Sequence, residues 1–201
     1  MARFATNPSE EQLSLLKRIL WYYKGTSNLG IQYSHANTDY AGLVGFSNSV
    51  YGDNMDSKSS AGYVFKMAGG VISYKSYRQR LVTLSLTESE YIVLTYAAKE
   101  AAWLRRLLRQ VGYTGHNVLP LQLYIDNLSA YNMVRKDGLH ERTKHINNYY
   151  KYTEHKYKNG HILLDHMLGI DMPADGLTKS LNKLQHAIFV RLIDMVRVPN
   201  V

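Results

Sequence analysis

The sequence predicts an α/β domain, a mixed sheet with helices against it, preceded by an N-terminal helical arm. Three observations carry this: extended segments separated by turn signals up to residue 77, a long amphipathic pattern over 87–111, and strand- and helix-period segments in alternation beyond it. The 201 residues suit one domain with an appendage. A chain of this length buries roughly 70% of its unfolded surface and needs no covalent staple. The absence of cysteine excludes disulfide frameworks, thiolate zinc sites and thiol nucleophiles. With 45% hydrophobic and 20% charged residues the chain is a folding rather than a disordered one. No apolar run approaches the ~18 residues of a membrane span, and the opening MARFATNPSEEQ has no signal-like apolar region, so a soluble protein without a membrane partner is expected.

The first element is a helix. Asn7 suits the cap, Pro8 the first helical position and Glu10 a capping-box spacing, while Leu13, Leu16, Leu20 and Tyr23 recur at helical steps up to Lys24-Gly25. Strands are expected over 29–33, 42–49, 60–67 and 70–77. The turn signals Gly52-Asp53-Asn54 and Ala68-Gly69-Gly70 make the last three an antiparallel meander. The helix over 87–111 presents Tyr91, Leu94, Ala98, Ala101, Leu104, Leu108 and Val111 on one face, with Gly112 as its stop. Lys99, Arg105, Arg106 and Arg109 lie on its other side. A buried strand over 121–125, a short helix over 127–135, a Tyr-rich helix over 143–158 and a strand over 161–165 follow. Pro173 opens a helical stretch that continues, with a break, to 196.

Charge and acids point to function. Lys and Arg total 24 against 16 acids, a net +8 that favours a polyanion such as nucleic acid, although a basic surface also serves solubility alone. Against that background three acids stand at strand ends or helix starts: Glu90, Asp126 and Asp175. Oxygen-only ligands brought together by a fold suit Mg²⁺ or Mn²⁺. Each also has a structural reading. Glu90 has capping-box spacing from Thr87, Asp126 is placed to cap the next helix, and Asp175 to favour a helix start through its dipole.

Several motifs in order resemble the RNase H domain of copia-type retrotransposon polyproteins. They are Gly-Tyr-Val-Phe (62–65), Ser-Leu-Thr-Glu-Ser-Glu-Tyr (85–91), Ala-Lys-Glu-Ala-Ala-Trp-Leu (98–104), Asp-Asn-Leu-Ser-Ala (126–130), His-Glu-Arg-Thr-Lys-His-Ile (140–146) and Ala-Asp-Gly-Leu-Thr-Lys (174–179). Residues 7–26 resemble the stretch that joins reverse transcriptase to RNase H in those polyproteins. The resemblance implies a five-stranded mixed sheet with three antiparallel strands first, in a domain of residues 42–201, with 1–41 as the N-terminal helix and connecting segment. It further implies an intracellular, cytoplasmic or nuclear, setting, with RNA–DNA hybrid and the reverse transcriptase domain of the same polyprotein as partners. The implied activity is cleavage of the RNA strand with two Mg²⁺ ions, Mn²⁺ substituting, held by four carboxylates. Glu90, Asp126 and Asp175 match the second, third and fourth of these.

The first is missing. The stretch Gly45-Phe46-Ser47-Asn48-Ser49 has Asn48 where the family pattern has aspartate. An amide keeps the shape, loses the charge and turns one ligand atom into a donor, so turnover is expected to be lost or severely impaired, with the metal weakened or lost. Either Asn48 is an isosteric replacement that traps substrate, or the copy is naturally inactive and kept as a nucleic-acid- or protein-binding module. Asp53 is an odd number of positions away, on the other face of a continued strand, and is rejected as a replacement. Leu168 and Gly169 also depart from the family pattern, and His166 reads more readily as a solvated strand-end residue than as an aid to product release. For nucleic-acid contact the candidates are Lys75, Arg78 and Arg80, interleaved with Tyr74 and Tyr77, and Arg142, Lys144 and His145 at the start of the Tyr-rich helix. Lys151, Lys156 and Lys158 read as a solvated face, and Tyr149, Tyr150, Tyr152 and Tyr157 as packing residues.

Overall fold

The computed structural model describes residues 7–34, 42–53, 56–113, 120–135 and 147–198. Helix α1 (Glu10–Gly25) leads through β1 (Leu29–Ile31) to the meander β2 (Val44–Val50), β3 (Ser60–Met67) and β4 (Gly70–Arg78). Helix α2 (Leu86–Gln110), β5 (Leu121–Ile125), α3 (Leu128–Arg135), α4 (Asn147–Lys158) and β6 (Ile162–His166) follow. Two 3₁₀ turns, Gly169–Asp171 and Pro173–Leu177, then precede α5 (Lys183–Leu192) and β7 (Met195–Arg197).

Five strands form the main sheet in the order β4-β3-β2-β5-β6. The meander pairs antiparallel, whereas β5 pairs parallel with both β2 and β6. The mixed sheet expected from the sequence is therefore present. Its two faces are covered separately. One core holds Phe65, Tyr91, Leu94, Leu123, Ile125 and Tyr150 under α2, α3 and α4. The other holds Val44, Phe46, Val64, Met172 and Ala174 under the second 3₁₀ turn. This alternation along β2 puts Val44, Phe46 and Asn48 on the second face and leaves Ser47 and Ser49 toward α2.

Several sequence expectations are corrected. The cap of α1 is Ser9, not Asn7: Ser9 Oγ accepts from the Gln12 amide and Gln12 Oε1 accepts from the Ser9 amide. The apolar positions of α1 are not covered. Leu13, Leu16, Leu20 and Tyr23 are 46–69% exposed, and none of the helix is buried. Residues 195–197 are not helical but pair antiparallel with Leu29–Ile31, so the connecting segment and the C-terminal end form a second, two-stranded sheet. The connecting segment is also tied to the meander, since the Tyr33 hydroxyl donates to the Val71 carbonyl at 2.7 Å. Half-buried Tyr residues pack as expected, and Tyr150 lies fully inside, stacked on Tyr91 with ring centroids 5.1 Å apart.

Candidate active site

Asn48 and Asp126 are brought together by strand register. Ser47 pairs with Ile125 in the parallel β2–β5 ladder, so the next positions along the two strands are Asn48 and Asp126. Asp126 ends its strand at the carboxyl edge of the sheet, where ligands bind in folds of this kind. It is not the helix cap. Asn127 fills that role, its Oδ1 accepting from the Ala130 amide at 2.9 Å.

Glu90 is also free of capping duty. The N-cap of α2 is Ser85, whose hydroxyl accepts from the Glu88 amide, and Glu88 accepts from the Leu84 amide. Glu90 instead lies a turn further, buried to 2% exposure, and takes the Ser49 amide on Oε1 at 2.8 Å. Ser49 and Ser89 hydroxyls are 2.6 Å apart, which pins the start of α2 to β2. The other oxygen, Oε2, is buried without a hydrogen-bond partner. Burial, with the nearby Asp126 carboxylate next, holds the Glu90 carboxyl well above the ordinary range. Burial and Asp175 raise Asp126 as well.

Asp175 arrives from the 3₁₀ turn Pro173–Leu177. Gly62 lets that turn approach β3, since a Cβ there would stand 2.7 Å from Leu177 Cβ. The Ser76 hydroxyl holds the turn from the next strand by donating to the Leu177 carbonyl at 2.6 Å. Both oxygens of Asp175 are engaged. Asn48 Nδ2 donates to Oδ1 at 2.9 Å, and the Lys179 ammonium lies 2.6 Å from Oδ2. Asn48 thus touches Asp175, Asp126 follows it in strand register, and both aspartates act electrostatically on Glu90. Among the described residues, however, no three His, Asp or Glu form a ready metal-binding group. An amide nitrogen and an ammonium stand at the two Asp175 oxygens.

Sequence reasoning missed one neighbour and misjudged another. Lys179 carries the i+4 spacing from Asp175 that places a cation on a carboxylate across one turn. His166 is corrected from a solvated residue, since its Nε2 lies 3.0 Å from the Asp126 carbonyl oxygen. Asp53, by contrast, is spent on a turn, accepting from the Ser60 amide and hydroxyl. A cleft of about 390 Å³ opens beside Asp126, Asp175 and Lys179 and is walled by Ile188, Phe189 and Leu192 of α5.

Of the expected nucleic-acid contacts, Arg78 is paired with Asp56, and Lys75 lies 5.2 Å over the Tyr77 ring. Arg80 acts electrostatically on Tyr149. Arg142, Lys144 and His145 lie outside the described residues.

The strand order β4-β3-β2-β5-β6 with helices on the sheet is an RNase H-like fold. LC11-RNase H1, isolated from compost, has this fold: it superposes with a TM-score of 0.52 at 11% identity, covering 68% of this chain and 92% of its own. No protein-family model matches. The sequence is 32% identical over 196 residues to the retrovirus-related Pol polyprotein from tobacco transposon TNT 1-94, and 33% over 200 residues to that from transposon RE1 of Arabidopsis thaliana. Those matches take in 97% and 99% of this chain but only 14% and 13% of the polyproteins. Over nearly its whole length the chain is homologous to one segment of the retrovirus-related Pol polyproteins of copia-type transposons.

Proposed function

We propose that this chain is the RNase H module of a retrotransposon polyprotein, that it binds RNA–DNA hybrid, and that Asn48 leaves it inactive or severely impaired as a two-metal nuclease. One observation carries the reading: Asn48 occupies a buried position between Asp126 and Asp175, donating where a fourth carboxylate would accept. The oxygen donors of Glu90, Asp126 and Asp175 suit a hard divalent cation, and the unpartnered Glu90 Oε2 is the kind of atom such an ion satisfies. They do not suit a pair. Three carboxylates, one of them already neutralised by Lys179, face four positive charges. The chemistry that two ions supply when bound is an activated water and a stabilised phosphoryl group.

This chain's own residues do something narrower. The Ser49 amide orients Glu90, the turn on Gly62 presents Asp175, and His166 holds the Asp126 carbonyl at the mouth of the cleft. Lys179 lines the cleft beside these acids and is the cation a phosphate entering it would find there. The closed set Asn48–Asp175–Lys179 favours a second reading in part, a catalytically silent module that binds nucleic acid or a protein through the same surface. Residues 1–41 are read as the junction toward a reverse transcriptase domain, a reading that the uncovered apolar positions of α1 support. None of the described helices is long and apolar enough to cross a membrane.

The test is cleavage of an end-labelled RNA–DNA hybrid. Asn48→Asp with Mg²⁺ is expected to cut the RNA strand and the parent chain to leave it intact. Robust cleavage by the parent, lost in Glu90→Gln, would overturn the impaired reading. An inert Asn48→Asp protein that binds hybrid leaves only the silent module.

A further inference from the structure

We propose that the outer face of α2 and α4 is a separate binding surface for the sugar–phosphate backbone of nucleic acid. The inference extends the nucleic-acid reading of the chain and rests on it only for the identity of the ligand. Lys99 is its centre. Its ammonium lies over three tyrosine rings at once, 5.4 Å from the centroid of Tyr96, 5.6 Å from Tyr149 and 5.4 Å from Tyr152. Lys156 also lies over the Tyr152 ring, 5.5 Å from its centroid. Arg105 and Arg106 complete the group, both acting electrostatically on Tyr152. Arg105, Lys156 and His155 all act on His161 as well, so a third element borders the patch.

Four cations so close together repel one another, and acids normally offset that cost. Here they do not. Among the described residues none of Lys99, Arg105, Arg106 and Lys156 forms an ion pair. The acids on the same helices are occupied elsewhere: Glu154 pairs with Lys158, and Glu100 accepts from Ser73 and Tyr63 on the sheet side. Ring faces hold the ammonium groups by their quadrupoles without consuming N–H donors, which remain available to an anion. The patch is therefore positioned but not neutralised.

Its shape suits a strand rather than a single anion. Lys99, Trp103 and Arg106 follow at helical steps along one exposed line of α2, and Trp103 is 52% exposed. From Lys99 to Arg106 the rise is about 10 Å at 1.5 Å per residue, about three phosphates of one duplex strand. The aromatic floor continues the other way. Tyr96 meets Tyr77 edge-on at 5.5 Å, and Tyr77 lies beneath Lys75. An exposed indole between cations offers a face for a sugar or an unpaired base. The surface is distinct from the carboxylate site, since Lys99 lies nine residues beyond Glu90 on the same helix, about 14 Å along its axis.

Fluorescence anisotropy with labelled hybrid, DNA duplex and single strand tests the proposal on the full chain. Arg105→Gln/Arg106→Gln/Lys156→Gln is compared with Lys17→Gln/Arg18→Gln/Lys24→Gln, which removes the same charge from α1. Circular dichroism melts confirm that both fold. The patch variant is expected to lose about tenfold or more in affinity for all three nucleic acids, and the slope of log affinity against log salt to shrink by about two to three. The α1 variant is expected to match the parent within about twofold. Trp103→Ala is expected to weaken single-strand binding most, by about threefold or more. Parental affinity and slope in the patch variant would overturn the proposal while leaving the hybrid reading standing. Equal binding of polyglutamate would overturn the nucleic-acid assignment. Loss in the patch variant with an Asn48→Asp protein that never cleaves would support the patch and remove the nuclease reading.

Discussion

Restoring a carboxylate at position 48 should destabilise the protein without metal and stabilise it with metal. In Asn48→Asp the amide donor that now meets Asp175 Oδ1 at 2.9 Å becomes an anionic oxygen. Two unit charges at that separation repel by about 6 kcal/mol at an effective dielectric of 20. The Lys179 ammonium beside Asp175 and solvent screening both limit the cost, which leaves about 3 kcal/mol at neutral pH. For a chain of this size that is a fall of about 6–12 °C in Tm. Thermal unfolding at pH 7.5 in EDTA and in Mn²⁺ measures it. The variant is expected to melt well below the parent in EDTA and to recover in Mn²⁺. The parent should respond weakly to Mn²⁺. Equal melting of the two proteins in EDTA, with neither responding to Mn²⁺, would refute the reasoning.

Three further outcomes follow from the same geometry. Glu90 holds its proton longer folded than unfolded, so stability falls as pH rises from the ordinary carboxylate range to its raised value, and the penalty is complete above it. Glu90→Gln should therefore raise the metal-free Tm at pH 8, by about 1 kcal/mol or about 2–4 °C, with the curves converging near pH 4. Lys179→Met, made in the Asn48→Asp background, frees Asp175 Oδ2 and is expected to tighten Mn²⁺ binding by calorimetry about threefold to tenfold, a modest effect for a partly exposed pair. Gly62→Ala sets a methyl group against Leu177 Cβ and the Lys75 carbonyl, and should cost about 1–3 kcal/mol by urea unfolding while displacing the turn that carries Asp175.

The sequence made the sheet legible because short apolar or β-rich runs bounded by turn residues are local signals. The span of β3 is the expected 60–67, and β5 the expected 121–125. Cap assignment was harder, because several residues in one stretch have capping chemistry and only the fold selects among them. Ser85 rather than Thr87 starts α2, and Asn127 rather than Asp126 starts α3, which leaves both acids available to the site. Helix α1 shows the limit of periodicity, which predicts an apolar face and not what covers it. β7 was read as helix because three residues that pair with a distant strand carry no period of their own. Asn48, Glu90, Asp126 and Asp175 were found by motif, whereas the grip of Lys179 on Asp175 and the tyrosine ring of Lys99 needed the fold.

Manganese soaked into crystals of the parent and of Asn48→Asp, located by anomalous scattering, probes the site itself. Two peaks about 4 Å apart, enclosed by residues 48, 90, 126 and 175 in the variant, with one weak peak or none in the parent, are expected. Manganese absent from that pocket in both proteins, or a full pair bound by the parent, would contradict the assignment of position 48.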